Sequence, residues 1–441
     1  MTRPLLIKNG YIIDPSQGID ESGSLLISDG KISLLGKEDI SLKKGSYDVL
    51  DARGLIICPG FIDLHCHLRQ PGYEEKETIA SGSRAAARGG FTTVCCMPNT
   101  RPPLDNQATV DYVKQVAASE AVIRILPIGC ISRGSQGKEL AEMAELYQAG
   151  VVAFSDDGQP LKSSWLMLKA MEYSLPLGLP IIDHCEDAEL SEDGLMNEGI
   201  TATRLGLAGI PAAAEEVAVA RDIALAQLTG ARLHIAHVTA KGSVELIRRA
   251  KEKGIRVSAE VTPHHLTLTE ERVIGYDTNA KVSPPLRTEE DIKALIQGLN
   301  DGTIDIIATD HAPHTENDKL CEFALAACGI SGLETALGSL MGLVHSRQLS
   351  LKLLIAKLTS EPAKIIGNSY DKLGTLKIGA IADVVIFDTE AEWVVDSRQF
   401  ASRGRNTPLD GEKLKGRVMA TISRGKLVYK DESIPLEKGE S

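Results

Sequence analysis

Gly60-Phe61-Ile62-Asp63-Leu64-His65-Cys66-His67-Leu68-Arg69 is the stretch on which the reading of this chain turns. Pro59-Gly60 marks a turn, and Phe61-Ile62 is the apolar lead-in of a strand. Side chains two apart on a strand share a side, so a strand ending in His-x-His offers two imidazoles to one cation. An isolated His-x-His is better explained as a pair on a solvated strand edge. Here four more strand-like ends downstream carry His or Asp, and that reverses the odds.

Working outward, apolar runs fall at 61–64, 92–96, 122–128, 151–154, 180–183, 232–238, 255–261 and 304–309. Amphipathic stretches separate them, most clearly at 77–88, 106–118, 213–227, 243–253 and 289–299. Strand and helix in alternation predict a parallel sheet, and eight such units predict a closed (β/α)8 barrel of the TIM type. A doubly wound open sheet fits less well, because it would gather its ligands at one crevice rather than at many strand ends.

The two ends of the chain read differently. Leu5-Leu6-Ile7 and Tyr11-Ile12-Ile13 flank Lys8-Asn9-Gly10, and Leu25-Leu26-Ile27 and Lys31-Ile32-Ser33 flank Ser28-Asp29-Gly30. Asn-Gly and Asp-Gly between apolar runs are hairpin signals. Strand-like runs return at 382–387, 418–422 and 426–429. The expectation is one small β-sandwich built from residues 1–58 and 367–441 beside a catalytic barrel at 59–366. Residues from about Asp431 onward read as a loose polar tail.

Composition narrows the function classes. The formal charge of -12 and the lack of a basic run argue against a nucleic-acid binder. No apolar stretch reaches the roughly 18 residues of a membrane span, and Met1-Thr2-Arg3-Pro4 opens no signal-peptide pattern. The eight cysteines form no Cys-x-x-Cys pair and suit reduced, buried thiols of a cytoplasmic protein.

Active groups of such a barrel sit at the C-terminal ends of its strands. There the chain shows His65 and His67, then Asp156-Asp157, then His184, His234 with His237, and Asp310-His311-Ala312-Pro313-His314. Imidazole and carboxylate are the donors that zinc and similar divalent ions take. Not every one is a ligand candidate. Cys66 alternates away and reads as packing, and Asp63 as a carboxylate that orients His65. His234, three residues before His237, and His345 read as structural. His311 reads as a supporting neighbour of Asp310, and His264-His265 receive no direct role. Asp156 and Asp157 point to opposite sides of a continuing strand, which leaves open which one faces the cation.

These residues resemble the amidohydrolase superfamily and, within it, the longer zinc-dependent class of dihydroorotases. The resemblance runs over nearly the whole chain. It is carried by Asp63-Leu64-His65-Cys66-His67-Leu68-Arg69, Met97-Pro98-Asn99-Thr100, Phe154-Ser155-Asp156-Asp157-Gly158, His184-Cys185-Glu186 and His237-Val238-Thr239. Lys281-Val282-Ser283-Pro284-Pro285-Leu286-Arg287, Asp310-His311-Ala312-Pro313-His314, Gly332-Leu333-Glu334-Thr335-Ala336 and Asn406-Thr407-Pro408-Leu409-Asp410-Gly411 complete it.

The resemblance implies a zinc enzyme that interconverts N-carbamoyl-L-aspartate and L-dihydroorotate in pyrimidine synthesis. It implies His65, His67 and Asp310 around one zinc, His184 and His237 around a second, and Asp157 as the bridge. Many relatives bridge with a carboxylated lysine, but residues 139–161 contain none. Asp310 would also carry the proton. Arg69 would bind the substrate carboxylate with its planar fork, aided by Asn99, Ser283, His314, Cys328 and Gly329. A loop at 159–164 would help close the site. Ser283 stands where relatives commonly have Asn, and Ala327-Cys328-Gly329 where they have Pro-Phe-Gly, which bears on ring recognition. The resemblance further implies a homo-oligomer and leaves association with aspartate transcarbamoylase open. Two rivals stand beside it: a hydantoinase, dihydropyrimidinase or allantoinase, and a non-catalytic partner of the transcarbamoylase. Arg69 and the missing lysine speak against the first, the complete ligand set against the second.

Overall fold

The computed structural model describes residues 3–36, 47–367 and 373–438 of a mixed α/β protein. Met1-Thr2 and parts of both expected terminal segments, at 37–46, 368–372 and 439–441, lie outside the described residues.

The first strands are β1 (Leu5–Asp14), β2 (Ile19–Ser28), β3 (Lys31–Gly36), β4 (Asp48–Asp51) and β5 (Ile56–Pro59). Eight strands then follow the expected runs: β6 (Phe61–Cys66), β7 (Phe91–Cys96), β8 (Arg124–Pro127), β9 (Phe154–Ser155), β10 (Ile181–Asp183), β11 (Leu233–Ile235), β12 (Val257–Val261) and β13 (Ile306–Ile307). The chain closes with β14 (Val384–Val394), β15 (Lys413–Ser423), β16 (Lys426–Lys430) and β17 (Leu436–Lys438).

Both chain ends join in one nine-stranded sheet ordered β16-β15-β14-β5-β1-β2-β3, with β4 pairing both β1 and β17. Two expectations need correction here. Asn9-Gly10 is not a hairpin turn, because β1 runs straight through it. The pair forms a bulge, with Asn9 at φ 63° and the register against β2 shifting between Ile7 and Gly10. Gly10 is needed because a Cβ there would stand 2.3 Å from Ile57 Cδ1. Asp29-Gly30, by contrast, does turn β2 into β3, with both residues at positive φ. Nor is the described tail loose: Leu436, Glu437 and Lys438 pair with Leu50, Val49 and Asp48.

Strands β6 to β13 form two parallel sheets, β6-β7-β8 and β9-β10-β11-β12-β13. Parallel bridges Gly129↔Phe154 and Cys66↔His311 span the two gaps between them. Leu64, Cys95, Ile182 and Ile306, drawn from both sheets, pack with Ile128 and Val152 beside the strands into one apolar cluster. Phe61, Val94, Cys96 and Phe154 point the other way, into the larger cluster shared with the helices. Helices Ile79–Arg88, Gln107–Glu120, Ala212–Thr229, Lys241–Glu252 and Glu289–Asp301 lie where the amphipathic stretches predict. Three of them start on a capping side chain, Thr78, Asn106 or Thr288, as where Thr78 Oγ1 accepts from Ser81 N at 3.1 Å.

Candidate metal centre and its pocket

His65 is the penultimate residue of β6, and His67, Asp157, His184, His237 and Asp310 each follow the end of a parallel strand. All six are buried, and they converge. Asp310 Oδ1 lies 3.1 Å from His67 Nε2 and 3.5 Å from His65 Nε2. Asp157 Oδ1 lies 3.4 Å from His65 Nε2, 3.5 Å from His237 Nε2 and 3.8 Å from His184 Nδ1. Its other oxygen is 3.5 Å from His67 Nε2. His184 Nδ1 and His237 Nε2 are 2.9 Å apart.

These donors fit a cation. The ligand atoms of His65, His67 and Asp310 lie close enough to share one, as do those of His65, Asp157 and His237. His65 Nε2 and Asp157 Oδ1 are buried and have no hydrogen-bond partner among the described residues. Such atoms are rare in folded proteins and call for an explanation. Burial works against a charged His65, but Asp157, Glu260 and Asp310 outweigh it and raise its pKa well above the usual histidine range. The pocket therefore calls for positive charge at this point.

Asp156 faces elsewhere. It accepts from Ile131 N at 2.9 Å and from the backbone and hydroxyl of Ser132, and burial pushes its pKa up to about 6. Only Asp157 of the two reaches the histidines.

Arg69 leaves the strand at φ 61° and still arrives beside the cluster's rim. Its Nε donates to Pro313 O at 3.2 Å, and its Nη2 lies 3.2 Å from His314 Nε2. Lys76, which the sequence reading overlooked, places Nζ 3.5 Å from His314 Nδ1. Burial and then the charges of Arg69, Lys76 and Lys319 lower the His314 pKa to about 3, so its ring is neutral at pH 7. Asn99 turns its Oδ1 to His67 Nδ1 at 2.9 Å. An amide oxygen only accepts, so His67 carries its proton on Nδ1 and keeps Nε2 for the cluster.

Cys328 is exposed, and its carbonyl lies 2.9 Å from His314 Nε2. Gly329 spends its backbone N–H on Lys281 O at 2.9 Å. Asn406 clamps this region, donating from Nδ2 to Ala312 O and Gly329 O and accepting at Oδ1 from His314 N. Ser283 is half-buried, and its side chain joins none of these contacts among the described residues. In the 159–164 loop Leu161 is buried, and its carbonyl accepts from Arg221 at 2.5 Å.

The carboxylate that backs His65 is Glu260 on β12, at 2.6 Å from Nδ1. An acid inside the apolar 255–261 run was the available signal, and the structure buries it fully. The expectation that Asp63 orients the His65 ring is therefore corrected. Asp63 accepts from Thr309 N at 2.9 Å and Thr309 Oγ1 at 2.5 Å, and reaches only the backbone N of His65. It ties β6 to the segment that presents Asp310. Asp310 at φ 45° and His237 at φ 30° occupy a region costing non-glycine residues roughly 1–3 kcal/mol each, so such ties hold the site in shape. Thr309→Val leaves a buried carboxylate oxygen unpaired and should cost about 1–3 kcal/mol, read as a lower thermal midpoint. An unchanged midpoint would show that Asp63 does not brace this segment.

His234 rests on Glu260, and His311 lies on Glu77 rather than on its neighbour Asp310.

Comparison with known proteins gives a consistent result. Residues 54–243 match the family model described as Dihydro-orotase-like. Dihydroorotase of Thermoanaerobacter sp. (strain X514) is 53% identical over 427 residues, covering 97% of each chain. Dihydroorotase of Pelotomaculum thermopropionicum is 52% identical over 431 residues, covering 98% of this chain and 99% of that one. Among solved structures, L-hydantoinase (dihydropyrimidinase) from Arthrobacter aurescens superposes with a TM-score of 0.87 at 27% identity, over 99% of this chain and 98% of that one.

Proposed function

The chain belongs to the dihydroorotase family, and from that premise we propose that it interconverts N-carbamoyl-L-aspartate and L-dihydroorotate, a step of pyrimidine synthesis. The observation that carries this reading is the pairing of two features in one pocket. The His/Asp cluster supplies hydrolytic chemistry, and the Arg69–His314 pair beside it suits a carboxylate. A hydantoin ring has no carboxylate for that pair to bind.

His65, His67 and Asp310 would hold one zinc ion, His184 and His237 a second, with Asp157 between them. When bound, such ions supply Lewis acidity, polarising an amide carbonyl and acidifying water. The protein's own residues do the rest. Arg69 and His314 take the ring carboxylate, and Asn99, Ser283, Cys328 and Gly329 flank the ring. In the hydrolytic direction a water oxygen bonds to the ring carbonyl carbon, and the C–N bond breaks. Asp310 accepts the water proton and returns it to the leaving nitrogen. Cyclisation runs the same path backwards, with water leaving. Burial pushes the Asp310 carboxyl up, but His65, His67 and His237 outweigh it and hold it well below the usual carboxylate range, so it begins ionised.

The architecture in this reading is a (β/α)8 barrel at 59–366 with a small β-sandwich from 1–58 and 367–441. The two bridges between the parallel sheets and the joint sheet of both chain ends support it. The free cysteines, six of them buried, suit a reducing compartment, the cytoplasm. Among the described residues, no helix is long and apolar enough to cross a membrane.

The test compares zinc-loaded protein on dihydroorotate, hydantoin and allantoin. Dihydroorotate should be preferred, and a preference for either other ring would replace this reading with a hydantoinase or allantoinase. A strong chelator should abolish turnover and added zinc should restore it. Metal-free protein that still turns over would contradict the role given to the cluster.

A further inference from the structure

We propose that Glu260 is a positioning residue that sets the strength of the metal centre by holding His65 through its Nδ1. This rests on the reading of the cluster as a zinc site.

His65 and Glu260 are both fully buried, and Oε1 lies 2.6 Å from Nδ1. A carboxylate there keeps the proton on Nδ1, so Nε2, aimed at Asp157 and Asp310, carries the lone pair. It also makes the imidazole a stronger donor. The second oxygen of Glu260 is not free to drift. It accepts from His234 Nε2 at 3.0 Å, and His234 Nδ1 in turn meets Ser258 Oγ at 2.8 Å. A carboxylate oxygen only accepts, so His234 donates to Glu260 from Nε2. The backbone N of His237 adds a longer contact at 3.4 Å to Oε1. Glu260 thus joins β6, β11 and β12 beneath the cluster.

The two histidines of the His-x-His element are backed unequally as a result. His67 rests on the neutral amide of Asn99, His65 on an anion. The inequality makes His65 the stronger donor. It also places the Glu260 charge behind His65, where it would favour a bound cation.

The test measures zinc affinity by competition with a chromophoric chelator for the parent, Glu260→Gln, Glu260→Ala and His234→Gln. Glu260→Gln keeps the shape and an acceptor but loses the charge, and should bind zinc about 10–100-fold more weakly. Glu260→Ala should lose more, and His234→Gln less, because Glu260 still meets His65. In the zinc-loaded parent, nitrogen-15 NMR should show a strongly deshielded proton on Nδ1 of His65, a signal that needs no variant to fold. Equal zinc affinity in folded Glu260→Gln, or a His65 without that proton in a zinc-loaded parent, overturns the proposal and leaves the metal-centre reading standing. A parent that binds no zinc overturns both.

Discussion

Asp310→Asn is expected to lower dihydroorotate turnover by about 10³-fold or more with zinc in excess, an effect at the upper part of the range for a lost acid–base group. The substitution keeps the size of a side chain packed between His65 and His67. It removes the charge and the proton-accepting oxygen together. Asn can still turn its one carbonyl toward the cluster, but it cannot take a proton from water and hand it on. Zinc occupancy, measured on the same sample, separates loss of a ligand from loss of the proton path. At full occupancy the defect should lie in kcat, with KM nearly unchanged, because Asp310 is not placed to hold the substrate's carboxylate. A fully loaded variant retaining a tenth of the parental kcat would take Asp310 out of the proton path.

Arg69→Met is expected to act on binding instead. Truncating one partner of a buried charge pair costs roughly 2–5 kcal/mol. That corresponds to a fall of about 30-fold to about 4 × 10³-fold in kcat/KM for dihydroorotate, carried mainly by KM. The neutral ring of His314 cannot replace the lost charge. Lys76 offers a cation nearby, but it is engaged with Asp318 at 3.3 Å and lacks the planar fork. Arg69→Lys should therefore recover only part of the loss. Slow turnover of uncharged cyclic amides should be spared, so the ratio of hydantoin to dihydroorotate activity rises. An unchanged ratio would mean that Arg69 serves the fold of the rim and not the carboxylate.

Much of this site was legible before any coordinates. Strands β6 to β13 follow the apolar runs because burial on both faces leaves a continuous apolar signature in the chain itself. The ligand candidates could be read because neighbouring parallel strands carry their C-terminal ends to the same side. What escaped were the supporting pairings behind the ligand candidates, which depend on where distant strands stop. His65 and Glu260 are 195 residues apart, and His67 and Asn99 are 32 apart. Asp63 was assigned to the neighbour two residues on, yet it serves Thr309 at a separation of 246. At the other end of the chain, Asn9-Gly10 carried a strong local turn signal that lost to the pairing of β1 along its whole length.

By itself the sequence determined the alternation of strand and helix, the residue types at the strand ends and the chemistry those types allow. These are local properties, written in side-chain period and in the donors each residue carries. Only the tertiary structure decided which of Asp156 and Asp157 meets the histidines, and which carboxylate stands behind His65. It also decided that Arg69, off the strand and at positive φ, reaches His314. Those choices turn on register and backbone direction at the strand ends. A shift of one residue there sends a side chain to the opposite face. The His-x-His element announces a metal site, and the strands packed around it determine how strongly and in what orientation each histidine can bind.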